Sequence, residues 1–315
     1  MSDPTPGPPA GATAASAKRD AFAGLAEEVG VAKPDPVIIA DSVVRRFGGV
    51  TAVDVDHLEV QRGAVTGLIG PNGAGKTTFF NLLTGFDKVD GGDWSFDGGS
   101  LRGLSAHRVA RRGVVRTFQL TKALSRLTVM ENMKLGASRQ TGEKFWQSLI
   151  PRLWSAEETA NEEKAEALLA RFNLTQMRDE FAGTLSGGQR KLLEMARALM
   201  ADPQVIMLDE PMAGVNPALA QTIVNHVTQL SEEGLTVMFV EHDMDVVRTV
   251  SDWVVVMAEG RIIAEGRHSS IVTNTRVIDA YLGAHHTTPL DRAEQDRQLA
   301  AAQAAVEAEA RGEAS

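Results

Sequence analysis

The sequence contains no cysteine, which excludes disulfide bridges, thiolate metal sites and cysteine nucleophiles. Aromatic residues are scarce, at 5% of 315 positions with a single tyrosine. No stretch reaches the ~18–20 consecutive apolar residues of a membrane-spanning helix, so the chain is not expected to cross a bilayer by itself. Positive charge is in deficit: 32 Lys and Arg against 41 Asp and Glu give a formal net charge of −9. Such a chain lacks the broad basic footprint of a nucleic-acid binder, and no nucleic-acid partner is expected. The first twenty residues, MSDPTPGPPAGATAASAKRD, have no apolar core region and do not read as a secretory signal, which points to the cytosol.

What remains is ample for a folded core, with 43% hydrophobic and 23% charged residues. The length allows one large domain or two small ones. Residues 1–36 are rich in Pro, Ala and Gly and read as a disordered N-terminal tail, with order expected from near Val37. Residues 284–315 read as a second tail, Ala- and Glu-rich and partly helical. Between them, residues 37–47, 51–60 and 64–68 read as strands, the last running through a Gly-rich turn into a helix near 76–84. Short strands are expected at 94–96 and 113–118. A mainly helical stretch, about 120–200, opens with a Thr128/Glu131 capping-box pattern. Strands return at 205–208, 236–240 and 253–257, and 258–261 joins two strands in a hairpin. Asn216-Pro217 is a helix start, with Asn as the cap and Pro at the first helical position. Strand–helix alternation on both sides of a helical insertion argues one α/β domain with a helical subdomain, residues 37–283 in all.

Gly70-Pro71-Asn72-Gly73-Ala74-Gly75-Lys76-Thr77 fits G-x-x-x-x-G-K-[ST] without a mismatch, between an apolar strand and a helix. Glycines let the backbone aim N–H groups at phosphate oxygens, and the helix N-terminus adds a favourable dipole. Lys76 would neutralise the β- and γ-phosphates, and Thr77 would ligate magnesium. Residues 205–208 form an apolar run ending in Asp209-Glu210. Such a strand is buried on both faces, so Asp209 emerges at the carboxyl edge, where open α/β sheets bind ligands. Asp209 suits the magnesium shell, and Glu210 suits a water that attacks the γ-phosphate.

Leu185-Ser186-Gly187-Gly188-Gln189 precedes a helical run and makes a second anion-binding helix N-terminus. One nucleotide does not need two such sites from one subunit, so this loop is expected to cap the nucleotide of a partner. Phe47 offers a flat ring upstream of the phosphate loop, and Gln119 and His242 follow strands. The other histidines, among them His57, His107, His226, His285 and His286, have no phosphate-side context and read as surface residues.

In order and identity these motifs resemble the ATP-binding cassette (ABC) family over residues 37–283. The resemblance implies an α/β P-loop NTPase core, a mixed sheet with an antiparallel β subdomain, plus a helical signature subdomain. It implies ATP and magnesium (Mg2+) as cofactors. The nucleotide contacts implied are Phe47 (adenine stacking), Gly70, Pro71, Asn72, Gly73, Ala74, Gly75, Lys76, Thr77 and Thr78, and, toward a partner's nucleotide, Ser186, Gly187, Gly188 and Gln189. Glu210, His242 and Gln119 take catalytic roles, and Thr77, Gln119 and Asp209 bind the metal. Two such subunits sandwich ATP head to tail, as homo- or heterodimers.

The turn 213–217, Ala-Gly-Val-Asn-Pro, looks like that of branched-chain amino acid importer ATPases, as do 116–119, 127–132, 241–244 and 280–283. Gly187 departs from the tyrosine common in that branch. The branch implies integral-membrane permease subunits, an extracytoplasmic solute-binding protein met indirectly, and a peripheral place on the cytoplasmic face of the membrane. Urea-type and lipopolysaccharide-type transporter ATPases are close in pattern. Non-transport cassettes are the alternative outside transport, although this chain has one motif set and no long coiled coil. The stretch 144–154 holds Trp146 and Trp154 and reads either as a local apolar cluster or as a docking surface for the permease.

Overall fold

The computed structural model describes residues 21–117, 124–137 and 151–284, the side chains of 151–157 and 283–284 excepted. Elements follow in chain order as β1 (Pro36–Phe47), β2 (Val50–Gln61), β3 (Val65–Ile69), α1 (Lys76–Leu83), β4 (Gly91–Phe96), β5 (Gly99–Ser100), α2 (Ala106–Arg111) and β6 (Val114–Arg116). The helical stretch contributes α3 (Val129–Gly136), α4 (Pro151–Arg171) and α5 (Gly187–Leu199). Then come β7 (Val205–Asp209), α6 (Pro217–Glu232), β8 (Thr236–Val240), α7 (Met244–Val250), β9 (Trp253–Ala258), β10 (Arg261–Gly266), α8 (His268–Ile271) and α9 (Thr275–Ala284).

Two sheets result. One is antiparallel, in the order β2-β1-β4-β5; the other runs β10-β9-β3-β8-β7-β6. In the second, β9, β3, β8, β7 and β6 are parallel, and β10 adds an antiparallel edge through the expected hairpin. Its central strands are buried and mostly apolar because both faces are covered. Side chains alternate between the two faces. Val65, Ile69, Ile206, Leu208, Val237, Phe239, Val254 and Val256 join the core shared with α3–α7. Leu68, Val205, Met207, Met238, Val240, Val255 and Met257 join the core shared with α1 and the antiparallel sheet. That alternation decides where the functional residues emerge, since Met207 and Asp209 share the α1 face.

Helix starts follow their sequence signals. Thr128 and Glu131 form a complete capping box at α3, and Asn216 accepts the Leu219 N–H at α6 with Pro217 at the first position. Two expectations are corrected. Order begins before Val37: Phe22 is buried and stacks on Trp253 with ring centroids 5.0 Å apart, and Lys33 is buried against Glu265. Apolar partners distant in sequence supply the burial that the local Pro- and Ala-rich composition lacks. His226 is buried rather than on the surface, its ring 4.4 Å from that of Phe172. Burial lowers its pKa, helped by the Arg171 charge.

Candidate active site

The phosphate loop leaves β3 at the carboxyl edge of the parallel strands and enters α1. Gly70 needs to be glycine, because a Cβ there would lie 2.0 Å from the Met257 carbonyl oxygen. Gly75, the α1 cap, has φ +96°, and a Cβ there would lie 2.3 Å from the Ala52 carbonyl oxygen. Both residues let the loop lie flat against the β9–β10 hairpin and β2 while α1 opens outward. Lys76 Nζ donates to the carbonyl oxygens of Gly70 at 2.6 Å and Pro71 at 2.9 Å. Burial lowers its pKa, opposed by the charges of Glu210 and Asp209. Thr77 is exposed and Thr78 half-buried at the first turn of α1.

Asp209 ends β7, half-buried, and its Oδ2 accepts from Arg116. Glu210 follows, exposed, with φ +45°, a left-handed conformation unusual for a non-glycine residue. Its N–H is held by the Val240 carbonyl at 3.1 Å. Its carbonyl accepts from Ala213 N–H and from Lys191 Nζ at 3.2 Å. The backbone is thus fixed on three sides while the carboxylate stays free to reach solvent, a combination that marks functional turns. Glu241 is buried at the end of β8 and accepts the Met212 N–H at 3.0 Å and the His242 N–H at 3.3 Å. Burial raises its pKa against those two hydrogen bonds. It pins the turn after Glu210 to the segment that carries His242, whose side chain is exposed.

Magnesium takes oxygen donors and keeps waters and substrate phosphates in its shell, so one or two protein oxygens suffice. Thr77 and Asp209 supply oxygen donors of that kind. No group of three His, Cys, Asp or Glu able to cage a metal occurs among the described residues.

Ser186 caps α5. Its Oγ accepts the Gln189 N–H at 3.3 Å, and Gln189 Oε1 accepts the Ser186 N–H at 2.9 Å. Ser186 and Gly187 are exposed, whereas Gly188 is buried against Leu219 of α6. This helix end therefore sits beside the turn that follows Glu210. Phe47 is 49% exposed at the end of β1, with the Arg45 guanidinium 4.4 Å from its ring centre. Gln119 and the side chains of 144–154, including Trp146 and Trp154, lie outside the described residues.

The structure thus brings together Lys76, Asp209 and Glu210, whereas no hydrogen bond among the described residues joins the Ser186–Gln189 helix end to the phosphate loop. Sequence reasoning passed over two residues of the site. Arg116 and Glu241 stood in motifs without a role of their own. The available signal was a charged residue at the end of an apolar strand.

Known proteins resemble this chain over most of its length. The ABC transporter family profile matches residues 53–213. The chain is similar to the high-affinity branched-chain amino acid transport ATP-binding protein BraF of Pseudomonas aeruginosa, at 41% identity over 251 residues, covering 79% of this chain and 98% of that protein. It is similar to the probable branched-chain amino acid transport ATP-binding protein LivG of Archaeoglobus fulgidus, at 39% identity, covering 79% and 96%. Among solved structures, a nucleotide-free ATP-binding cassette from an ABC transporter superposes with TM-score 0.70 at 38% identity, covering 78% of this chain and 98% of that one. An ADP conformation of such a cassette gives TM-score 0.69 at 38% identity, covering 79% and 99%.

Proposed function

The chain belongs to the ABC transporter family of ATP-binding cassettes, and from that premise we propose that it energises import of branched-chain or related amino acids through separate membrane permeases. The observation that carries the activity is the meeting of Lys76, Asp209 and Glu210 at one sheet edge. The names of the relatives support the solute class. No helix among the described residues is long and apolar enough to cross a membrane, which fits a subunit that works on permease chains from the cytoplasmic face.

Each residue's task follows from its chemistry. Backbone N–H groups of the phosphate loop and the N-terminus of α1 take the phosphates, and Lys76 exchanges its two carbonyl partners for β- and γ-phosphate oxygens. Thr77 and Asp209 would hold magnesium, which when bound neutralises charge on the phosphate oxygens. The Glu210 carboxylate orients a water and accepts its proton as the water oxygen bonds to the γ-phosphorus and the bond to ADP breaks. His242 donates to the γ-phosphate. Gln119 would assist at the metal and the water. Phe47 stacks on adenine, its ring backed by the Arg45 guanidinium, which Asp87 and Asp90 hold in place. Ser186 and Gly187 face the phosphates held by a second cassette, with Gly188 packed behind them against Leu219.

Glu210→Gln tests the assignment. The variant should bind ATP with near wild-type affinity and slow hydrolysis by about 100-fold or more, the share expected of a general base. Near-normal phosphate release would remove Glu210 from this role.

A further inference from the structure

Arg116 closes β6 and bridges two elements of the site. Its Nη1 donates to Asn81 Oδ1 and its Nη2 to Asp209 Oδ2, both at 2.5 Å. The side chain is 8% exposed, and the guanidinium carbon lies 5.9 Å from the centre of the Phe80 ring. Parallel pairing sets Arg116 opposite Met207. Side chains two apart on a strand share a face, so Met207 and Asp209 both point toward α1, where Asn81 and Phe80 wait. Asn81 is five residues beyond Lys76 and four beyond Thr77 on that helix. Arg116 therefore ties the helix that carries two phosphate and metal groups to the strand that carries the metal carboxylate.

The arrangement is selective in its atoms. Arg116 occupies one oxygen of Asp209, and Oδ1 takes no hydrogen bond among the described residues. Asp209 also lies next to Glu210, and both charges act on Lys76. Without Arg116, the attraction of Asp209 for Lys76 would be unopposed, and a Lys76–Asp209 pair would withdraw both groups from their tasks.

We propose that Arg116 is a positioning residue for the metal: it fixes the Asp209 carboxylate against α1, leaves the second oxygen for magnesium, and keeps Asp209 from capturing Lys76. The assignment rests on the ATPase reading given above. A bidentate fork with two fixed partners suits Arg and no other side chain.

The test compares binding of a non-hydrolysable ATP analogue by calorimetry, in magnesium and in chelator, for wild type and Arg116→Met. Wild type should bind more tightly with magnesium. Arg116→Met should lose about tenfold of that magnesium-dependent gain, the usual effect of removing a group that orients a metal ligand. Its metal-free affinity should stay within about twofold of wild type. Asn81→Leu keeps the Arg116–Asp209 pair and cuts the tie to α1, so it should lose part of the gain; it carries the test if Arg116→Met does not fold. A wild-type magnesium response retained in full by the variants overturns the assignment, as does an equal loss of binding with and without metal. A wild-type chain that binds the analogue in neither condition overturns the ATPase reading itself.

Discussion

Gly188 and its neighbour Gly187 share a motif and differ in what surrounds them. A Cβ at Gly188 would fall 1.5 Å from Leu219 Cδ2 and 2.8 Å from Cγ, whereas one at Gly187 would meet nothing nearer than 3.9 Å. The second glycine therefore serves the packing of α5 on α6, and the first keeps the helix end open. Gly188→Ala should cost about 1–3 kcal/mol of stability in chemical denaturation, the range for overpacking, and Gly187→Ala much less. Leu219→Ala in the Gly188→Ala background should recover part of the loss. Equal costs at 187 and 188 would contradict this division. The motif string made all four residues of 186–189 legible as one anion site; it could not separate a glycine kept for a ligand from one kept for a leucine thirty-one positions away. His226 was misread for the same reason, since its burial depends on Phe172 of a distant segment.

At the scale of elements, the clearest departure is the segment that leads into β1. Glu265 on β10 is fully buried and accepts four hydrogen bonds: from the N–H groups of Gly30 and Val31, from Lys33 Nζ at 2.8 Å, and from Trp253 Nε1 at 2.9 Å. Lys33 N–H in turn reaches Glu59, and Phe22 lies on Trp253. Burial lowers the Lys33 pKa, opposed by its hydrogen bond and attraction to Glu265. Lys33→Met should cost about 3–5 kcal/mol, because a buried carboxylate is left without its cation. Unlike most buried pairs, this one should not be rescued by a matching apolar change, since Glu265→Met strands three N–H donors. Thermal melts of the two single variants and the double variant decide the matter; a double variant as stable as wild type would show that the carboxylate holds nothing but Lys33. Local composition hid this strap because its partners lie more than 200 residues ahead. By contrast β3, β7 and β8 were legible from mostly apolar runs, and α3 and α6 from their caps, because those signals are local.

The whole molecule presents the two helix ends proposed to bind phosphate, those of α1 and α5, in different places. The N-terminus of α1 stands with Lys76 and the carboxylates of Asp209 and Glu210. That of α5 is exposed at Ser186 and Gly187 and is held to the turn after Glu210 through Gly188–Leu219 packing and the Lys191–Glu210 hydrogen bond. No hydrogen bond among the described residues joins 186–189 to the phosphate loop. A free helix end of this kind has work only if a second chain brings phosphate to it, and two copies in head-to-tail contact would complete both sites at once. That arrangement has a consequence for mixed chains. Lys76→Ala removes the loop cation, and Gly187→Asp places a carboxylate where phosphate must approach, yet an acid in the first turn of α5 does not harm the helix. Each variant alone should hydrolyse little ATP, since every composite site in its dimer carries one defect. A dimer of one with the other has one doubly defective site and one wholly intact site. If the chains exchange freely, equimolar mixing should restore roughly a quarter of wild-type turnover, half the dimers being mixed with one good site each. Full activity of Gly187→Asp alone, or no recovery in mixtures shown by native mass measurement to contain mixed dimers, would rule out a site shared between two copies.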